Sequence, residues 1–265
     1  MNEKRTGYSI SIVIPAYNEE SNIEDVVLES LEVLRKLTDR YEVLVMNDAS
    51  GDRTGAILDS LAEKFGPAVR VIHHRSNMGT NLSLVELFRH ARHELVFFLP
   101  ADKQIQPDAL HRYLPLIEEG SADIVLGWRE KRADPAYRLF FNWAYRMLLR
   151  FFLDISFKDA AASDLYKKSV LDKIQMESRG RLLQAEIAAK AACLGYRVRE
   201  VSVEHYPRVA GHQTGVNPKT AWLSFTDLVR VGFKIRALKK KFRRLQALPD
   251  KRPSGGFRSY AQEKV

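Results

Sequence analysis

The feature that most constrains this chain is a continuous apolar run, LVFFL at Leu95 to Leu99, cut off by Pro100 and followed at once by Asp102 and Gln104. Five strand-forming residues between polar flanks read as a strand buried on both faces, so the run belongs in the middle of a sheet. Such a strand needs paired neighbours and covering layers, and the sequence around it supplies both. From Ser9, SISIVIPA gives a strand ending at Pro15; a helix follows from Ser21, which serves as its N-cap with Glu24 three positions on. Tyr41 to Met46 form a second strand that delivers Asn47 and Asp48 at its end. GDRTGAILDSLAEKF reads as a helix, VRVIHHR as a short strand, and NMGTNLSLVELFRHAR as a loop opening into a helix. After Asp102 come a helix in QPDALHRYLPLIEEG, a strand from Ala122 to Arg129, a helix from Leu182 to Leu194 closed by Gly195, and a strand in YRVREVSVEHYP. Strands alternating with helices of this length predict a parallel sheet with right-handed crossovers.

In a parallel sheet the residues that follow the strands share one edge, the edge where open α/β folds bind ligands. Three polar strand ends meet there: Asn18 with Glu19, Asn47 with Asp48, and Asp102. A nucleotide needs acceptors for its base and ribose and a cation for its diphosphate, and this edge offers both. Each end taken singly has a plainer reading, since Pro100 also stops a strand and Asp102 also opens a turn before the helix near Pro107.

The formal charge of +9 calls for an anionic partner, and much of the excess lies beyond residue 229, in RVGFKIRALKKKFRRL. From Ala221 to about Leu248 the sequence predicts a basic helix in which Trp222, Phe225, Leu228, Val229, Phe233, Leu238 and Phe242 alternate with cations. Such a helix either lies on an anionic membrane surface or packs on the core with a solvated charge run. The segment PAYRLFFNWAYRMLLRFFLDI carries the same ambiguity. The basic residues are not interleaved with stacking aromatics along a sheet face, so no nucleic-acid partner is expected. No run reaches the roughly 20 apolar residues of a membrane span, and the first residues lack the apolar core of a secretory signal, so a cytoplasmic protein is expected. The lone Cys193, in AAKAACLG, reads as packing on a helix face. Adjacent residues of a strand point to opposite faces, so His73 and His74 are not expected to share a metal. The tail from residue 249 is polar, rich in Gly and Pro, and reads as disordered.

SIVIPAYNEESNI, then EVLVMNDASGDRT, then NMG and FFLPADKQIQPDAL, together resemble family 2 glycosyltransferases of the GT-A fold. The likeness is strongest to the polyprenyl-phosphate branch of the dolichyl-phosphate mannose synthase type, and it extends through GYRVREVSVEHYPRVAG and NPK. It implies a mixed, mostly parallel α/β sheet flanked by helices over residues 1–217, with the basic amphipathic helix at 218–248 and the tail at 249–265 as additions. It implies inverting transfer of a sugar from a UDP- or GDP-sugar, aided by Mg²⁺ or Mn²⁺, to a lipid-linked acceptor; the basic helix adds the expectation of a protein peripheral on the inner face of a membrane. By position, Pro15, Tyr17 and Glu19 match the motif that wraps the nucleoside, Asp48 the acid at base or ribose, and Arg208 an arginine near the donor phosphates. Asp102 matches the second acid of the metal motif and Gln104 the glutamine that often follows it.

Departures from the pattern leave alternatives open. Pro100 replaces the first acid of the metal motif, and Asp164 stands where a basic contact to the acceptor phosphate is usual, so Lys167 or Lys168 would have to substitute. An acceptor hydroxyl would need a carboxylate base, for which Glu186 is the candidate by family position; otherwise Glu186 is a helix-surface acid beside Lys190 at i,i+4 spacing. A phosphate acceptor, with its second pKa about 6, arrives ionised and needs no base. A nucleotide-sugar binding protein that has lost its chemistry is a further reading, motivated by the same departures.

Overall fold

The computed structural model describes residues 5–129, 147, 149–151, 153, 162–178, 182–207 and 218–246. In chain order the elements are β1 (Ile10–Ala16), α1 (Ile23–Leu37), β2 (Tyr41–Asn47), α2 (Thr54–Phe65), β3 (Val69–His73), α3 (Thr80–His90), β4 (Leu95–Phe98) and α4 (Leu110–Glu118). They continue with β5 (Ile124–Arg129), β6 (Asp164–Lys167), α5 (Lys168–Leu171), α6 (Leu183–Cys193), β7 (Val198–Val203) and α7 (Pro218–Gln246).

The seven strands form one sheet in the order β3-β2-β1-β4-β6-β5-β7. β4 sits at its centre, as its unbroken apolar sequence requires. Leu95 and Phe97 enter the core shared with α1, α2 and α4, while Val96 and Phe98 enter the core shared with α3 and α6. All four are buried, each contributing on the order of 1.5–3 kcal/mol of transfer free energy. All neighbour pairs are parallel except those of β6, which runs antiparallel to both β4 and β5. The sheet is therefore mixed and mostly parallel, as expected, although β6 itself was not foreseen.

At the start of α1 the structure differs from the Ser21 cap. The cap position is Asn22, with no side-chain capping bond. The helix start is held instead by Glu19: its carbonyl oxygen accepts from the Asn22 and Ile23 amides, and its carboxylate accepts from Asn22 Nδ2 at 2.8 Å.

The basic helix α7 packs on α6, where Leu228, Val231 and Ile235 are buried with Leu182, Ala185, Ala189 and Cys193. The cysteine is thus a packing residue. The other side of α7 faces out: Phe233 is 63% exposed, among Arg230, Lys234 and Arg236. The Arg236 guanidinium lies 5.3 Å from the ring centre of Phe151, itself 67% exposed. Among the described residues no helix is long and apolar enough to cross a membrane. The expected tail at 249–265 lies outside the described residues.

Candidate active site

β2, β1 and β4 are neighbours, and their carboxyl ends lie on one edge of the sheet: Ala16 is level with Asn47, and Val13 with Phe98. With strands about 4.8 Å apart, the segments leaving them are spread over about 10 Å. All three exits contain a residue in the left-handed region: Asn18 at φ 54°, Ala49 at φ 57° and Lys103 at φ 57°. Among the described residues these are the only non-glycine residues with positive φ. Such backbone costs on the order of 1–3 kcal/mol per residue and persists where the surroundings hold it, which is characteristic of ligand sites.

The surroundings do hold it. Asn18 Oδ1 accepts from Gly51 N at 2.8 Å, the Asn18 amide donates to Ser50 Oγ at 3.0 Å, and the Glu19 amide donates to Thr54 Oγ1 at 2.9 Å. The exits of β1 and β2 are thereby laced into one wall. Pro15 is half-buried in that wall, and Tyr17 stands on its lip, 45% exposed. An exposed aromatic ring beside fixed backbone can stack on a base.

Asp48 is on the same rim but only 3% exposed. Its Oδ1 accepts from the Met78 amide at 2.8 Å and its Oδ2 from the Gly79 amide at 2.7 Å, while His74 Nδ1 lies 2.6 Å from Oδ1. The residue expected at the base or ribose thus ties the end of β2 to the entry of α3. His73 turns to the opposite face, toward Asn47 and Asp59, so the two histidines diverge as strand geometry requires.

Beyond β4 the chain makes a tight turn in which Asp102 Oδ1 accepts from the Gln104 amide at 3.2 Å. Lys103 is drawn off to α1, where its Nζ lies 2.9 Å from Asp25 and 3.1 Å from Glu29. The Gln104 carbonyl accepts from the Tyr206 amide at 2.9 Å, which brings the segment after β7 to the same turn. Arg208, two positions on, lies outside the described residues. For a divalent cation the turn provides a carboxylate and a side-chain amide, both hard oxygen donors. Among the described residues no group of three His, Cys, Asp or Glu could hold a metal. This donor set fits Mg²⁺ or Mn²⁺ of the kind that is completed by substrate phosphates and water.

Two expectations are corrected. Lys167 and Lys168 are not at this rim, because β6 is antiparallel: Asp164 is level with Phe98, while Lys167 is level with Leu95 at the opposite edge. Three residues of strand put about 10 Å between them. Both ammonium groups are also engaged, Lys167 with Asp123 at 2.8 Å and Lys168 with Asp172. Burial alone would raise the Asp123 carboxyl, but Arg197 and Lys167 hold it down to about 2. Glu186 is likewise not a surface acid. It is fully buried, and its carboxylate accepts from the amides of Glu177 and Ser178 and from Lys190 Nζ at 2.5 Å. The expected i,i+4 pairing with Lys190 is present, inside the core.

What β6 does bring to the rim is Asp164, 2% exposed, accepting from Gln184 Nε2 at 2.6 Å, Tyr166 Oη at 2.8 Å and Gly127 N at 3.2 Å. Burial, and then the Asp164 charge, push the Tyr166 phenol well up, so it stays a donor. Gln184 was not among the expected site residues. The visible signal was an acid opening a strand, and reading it required the direction of β6.

The family model for glycosyl transferase family 2 matches residues 11–173. Undecaprenyl-phosphate 4-deoxy-4-formamido-L-arabinose transferase of Pseudomonas paraeruginosa (strain DSM 24068 / PA7) is 31% identical over 139 residues, 52% of this chain and 40% of that protein. The enzyme of the same description from Edwardsiella ictaluri (strain 93-146) is 28% identical over 138 residues, 52% of this chain and 42% of that one. The matched part thus spans about two fifths of these relatives. Among solved structures, glucosyl-3-phosphoglycerate synthase from Mycobacterium tuberculosis in complex with UDP superposes with a TM-score of 0.63 at 18% identity, covering 87% of this chain and 81% of that one. Its complex with Mn²⁺, UDP and glucosyl-3-phosphoglycerate gives 0.60 at 18%, covering 89% and 80%. At such identities the likeness establishes the shared fold, the GT-A arrangement expected from the sequence.

Proposed function

Because the chain belongs to glycosyl transferase family 2, we propose that it moves a sugar from a nucleoside-diphosphate donor to a lipid-linked phosphate, a polyprenyl phosphate, at the cytosolic face of a membrane. The observation that carries this reading is the convergence of three adjacent strand exits, each strained into the left-handed region, on one rim. The names of the relatives, which specify undecaprenyl phosphate, support the acceptor class, and the UDP complexes of the structural neighbours support the donor class.

The chain's residues then divide the work by position. Pro15, Tyr17 and Glu19 line the β1 side of the rim for the nucleoside, and Asp48 fixes the backbone opposite. Asp102 and Gln104 would hold the divalent cation, which when bound supplies positive charge to the leaving diphosphate. Lys103, anchored on α1, keeps its ammonium out of that position. Arg208 is assigned to the donor phosphates by its place in the sequence. The acceptor oxygen attacks the anomeric carbon as the bond to the nucleotide breaks. An acceptor phosphate is already ionised at neutral pH, so no side chain need take a proton. The bonding of Glu186 supports that reading, since its carboxylate is taken up by the Glu177 and Ser178 amides and Lys190.

The test combines a donor panel with one substitution. UDP or GDP with Mn²⁺ present, at about 100 times Kd, should add about 2.7 kcal/mol and raise Tm by about 5–10 °C for one base and not the other. Asp102→Ala should lower transfer to polyprenyl phosphate by about 100-fold or more while leaving the fold intact, since its bond to the Gln104 amide is local to the turn. Full transfer by that variant overturns the assignment of Asp102. Nucleotide binding without transfer by the wild type would instead make this a binding protein, the reading that Pro100 favours.

A further inference from the structure

His74 stands between two carboxylates. Its Nδ1 lies 2.6 Å from Asp48 Oδ1 and its Nε2 lies 3.2 Å from Glu86 Oε2. An ionised carboxylate only accepts, and a neutral imidazole has one N–H to give. To satisfy both neighbours the ring must carry two protons and a positive charge. The site favours this form: the side chains of His74 and Asp48 are 9% and 4% exposed, so their attraction is only weakly screened by water. Burial alone would lower the imidazole pKa, but the hydrogen bonds and charges of Asp48 and Glu86 outweigh it and hold it above the usual histidine value.

Asp48 does not act on His74 alone. The same carboxylate accepts from the Met78 and Gly79 amides, and Gly79, at φ 85°, is the residue from which α3 starts. Glu86 lies about two turns further along α3. The imidazolium therefore fastens α3 to the end of β2 at two places, directly through Glu86 and indirectly by orienting Asp48 on the 78–79 backbone.

We propose that His74, as an imidazolium bridging Asp48 and Glu86, is the positioning residue of the donor rim, setting the 74–79 segment in the conformation that receives the nucleotide. The donor half of this inference rests on the function proposed above; the bridge itself does not. Loss of the proton removes one of the two bonds and leaves a nitrogen lone pair facing a carboxylate. The charged groups facing His74 are Asp48 from the end of β2 and Glu86 from α3; on its own strand His73 points away, toward Asn47 and Asp59. The sign follows from linkage. A pKa raised on folding gives stability that is complete below the unfolded value of about 6.5 and is lost as pH rises through the folded value.

The test measures hydrogen exchange of the Met78 and Gly79 amides, corrected for intrinsic rates, and the Kd of the nucleotide selected by the donor panel, from about pH 6 to about pH 9. Wild type, His74→Gln and Glu86→Gln are compared. In the wild type, protection of the two amides should fall several-fold as pH rises, and Kd should rise with it. His74→Gln should lose the pH dependence of amide protection and the rise of Kd toward high pH, keeping in Kd only the titration of the nucleotide's own terminal phosphate near about pH 6, and Glu86→Gln should move the wild-type transition to lower pH. If His74→Gln does not fold, the Glu86→Gln shift alone decides the matter. Protection that is independent of pH in the wild type overturns the bridge. A pH-independent Kd, with nucleotide bound, overturns the positioning role and leaves the donor reading standing. Amides that titrate as expected in a protein that binds no nucleotide overturn the donor reading, and the positioning role with it, while the bridge remains.

Discussion

Gly127, in the middle of β5, has no room for a side chain. A Cβ there would lie 2.1 Å from Tyr113 Oη and 2.5 Å from the Ser163 carbonyl oxygen. Its amide donates to Asp164, so this close approach of backbone to backbone is part of what seats the buried acid at the rim. Gly127→Ala should cost about 3 kcal/mol, the upper end for overpacking, measured by urea denaturation. Removing the Tyr113 hydroxyl as well should not restore stability, because the Ser163 backbone cannot retreat. Rescue by Tyr113→Phe would show that the hydroxyl is the obstacle. A glycine inside a strand run signals such an approach, but which backbone comes close is not written near it. His73 and His74 mark the same boundary: their divergence follows from strand geometry, whereas the two carboxylates that meet at His74 come from β2 and α3.

At the scale of the element, α6 shows how helical spacing can be read correctly and its setting missed. Glu186 and Lys190 pair at i,i+4 as expected, yet the pair lies in the core, with Lys190 also donating to the Gln175 carbonyl at 2.6 Å and to Glu177 at 3.1 Å. Lys190→Met leaves the buried Glu186 carboxylate without its counter-charge and should cost about 3–5 kcal/mol in chemical denaturation, whereas Glu186→Ala leaves Lys190 its bonds to Gln175 and Glu177 and should cost less. Replacing both with apolar residues of similar volume should recover most of that loss. Loss of turnover in Glu186→Ala with stability unchanged would return this residue to the role of proton acceptor. The short strand β6 carries the other lesson. Its four residues include both an acid and a lysine, and the direction of the strand alone decides which of them reaches the rim.

At the scale of the whole molecule, the sheet gathers the exits of β1, β2 and β4 at one edge, while α7 covers α6 with one apolar side and turns cations and Phe233 outward. That outer surface suits an anionic bilayer, with each cation near the surface adding on the order of 1 kcal/mol. The protein should sediment with vesicles rich in anionic lipid and not with neutral ones. Raising salt from about 0.1 M to about 1 M, which shortens the Debye length from about 10 Å to about 3 Å, should release it. Phe233→Glu should weaken binding several-fold without affecting the melting temperature, since this ring is largely in solvent. Equal binding to neutral vesicles, or indifference to salt, would remove the electrostatic account of this face.

The sequence by itself determined six of the seven strands, their alternation with helices, the central place of Leu95–Phe98, and the shared edge at which Tyr17, Asp48 and Asp102 emerge. These follow from burial patterns within a few residues and from the helical crossovers that make the strands parallel, so that their carboxyl ends share one edge. Tertiary structure alone decided that β6 runs backwards, that Lys167 and Lys168 leave the rim while Asp164 joins it, that Glu186 is interior, and that Asp48 is shared among His74 and two backbone amides. Those outcomes depend on pairings between segments far apart in the chain, and the energies that select them belong to contacts no local pattern contains.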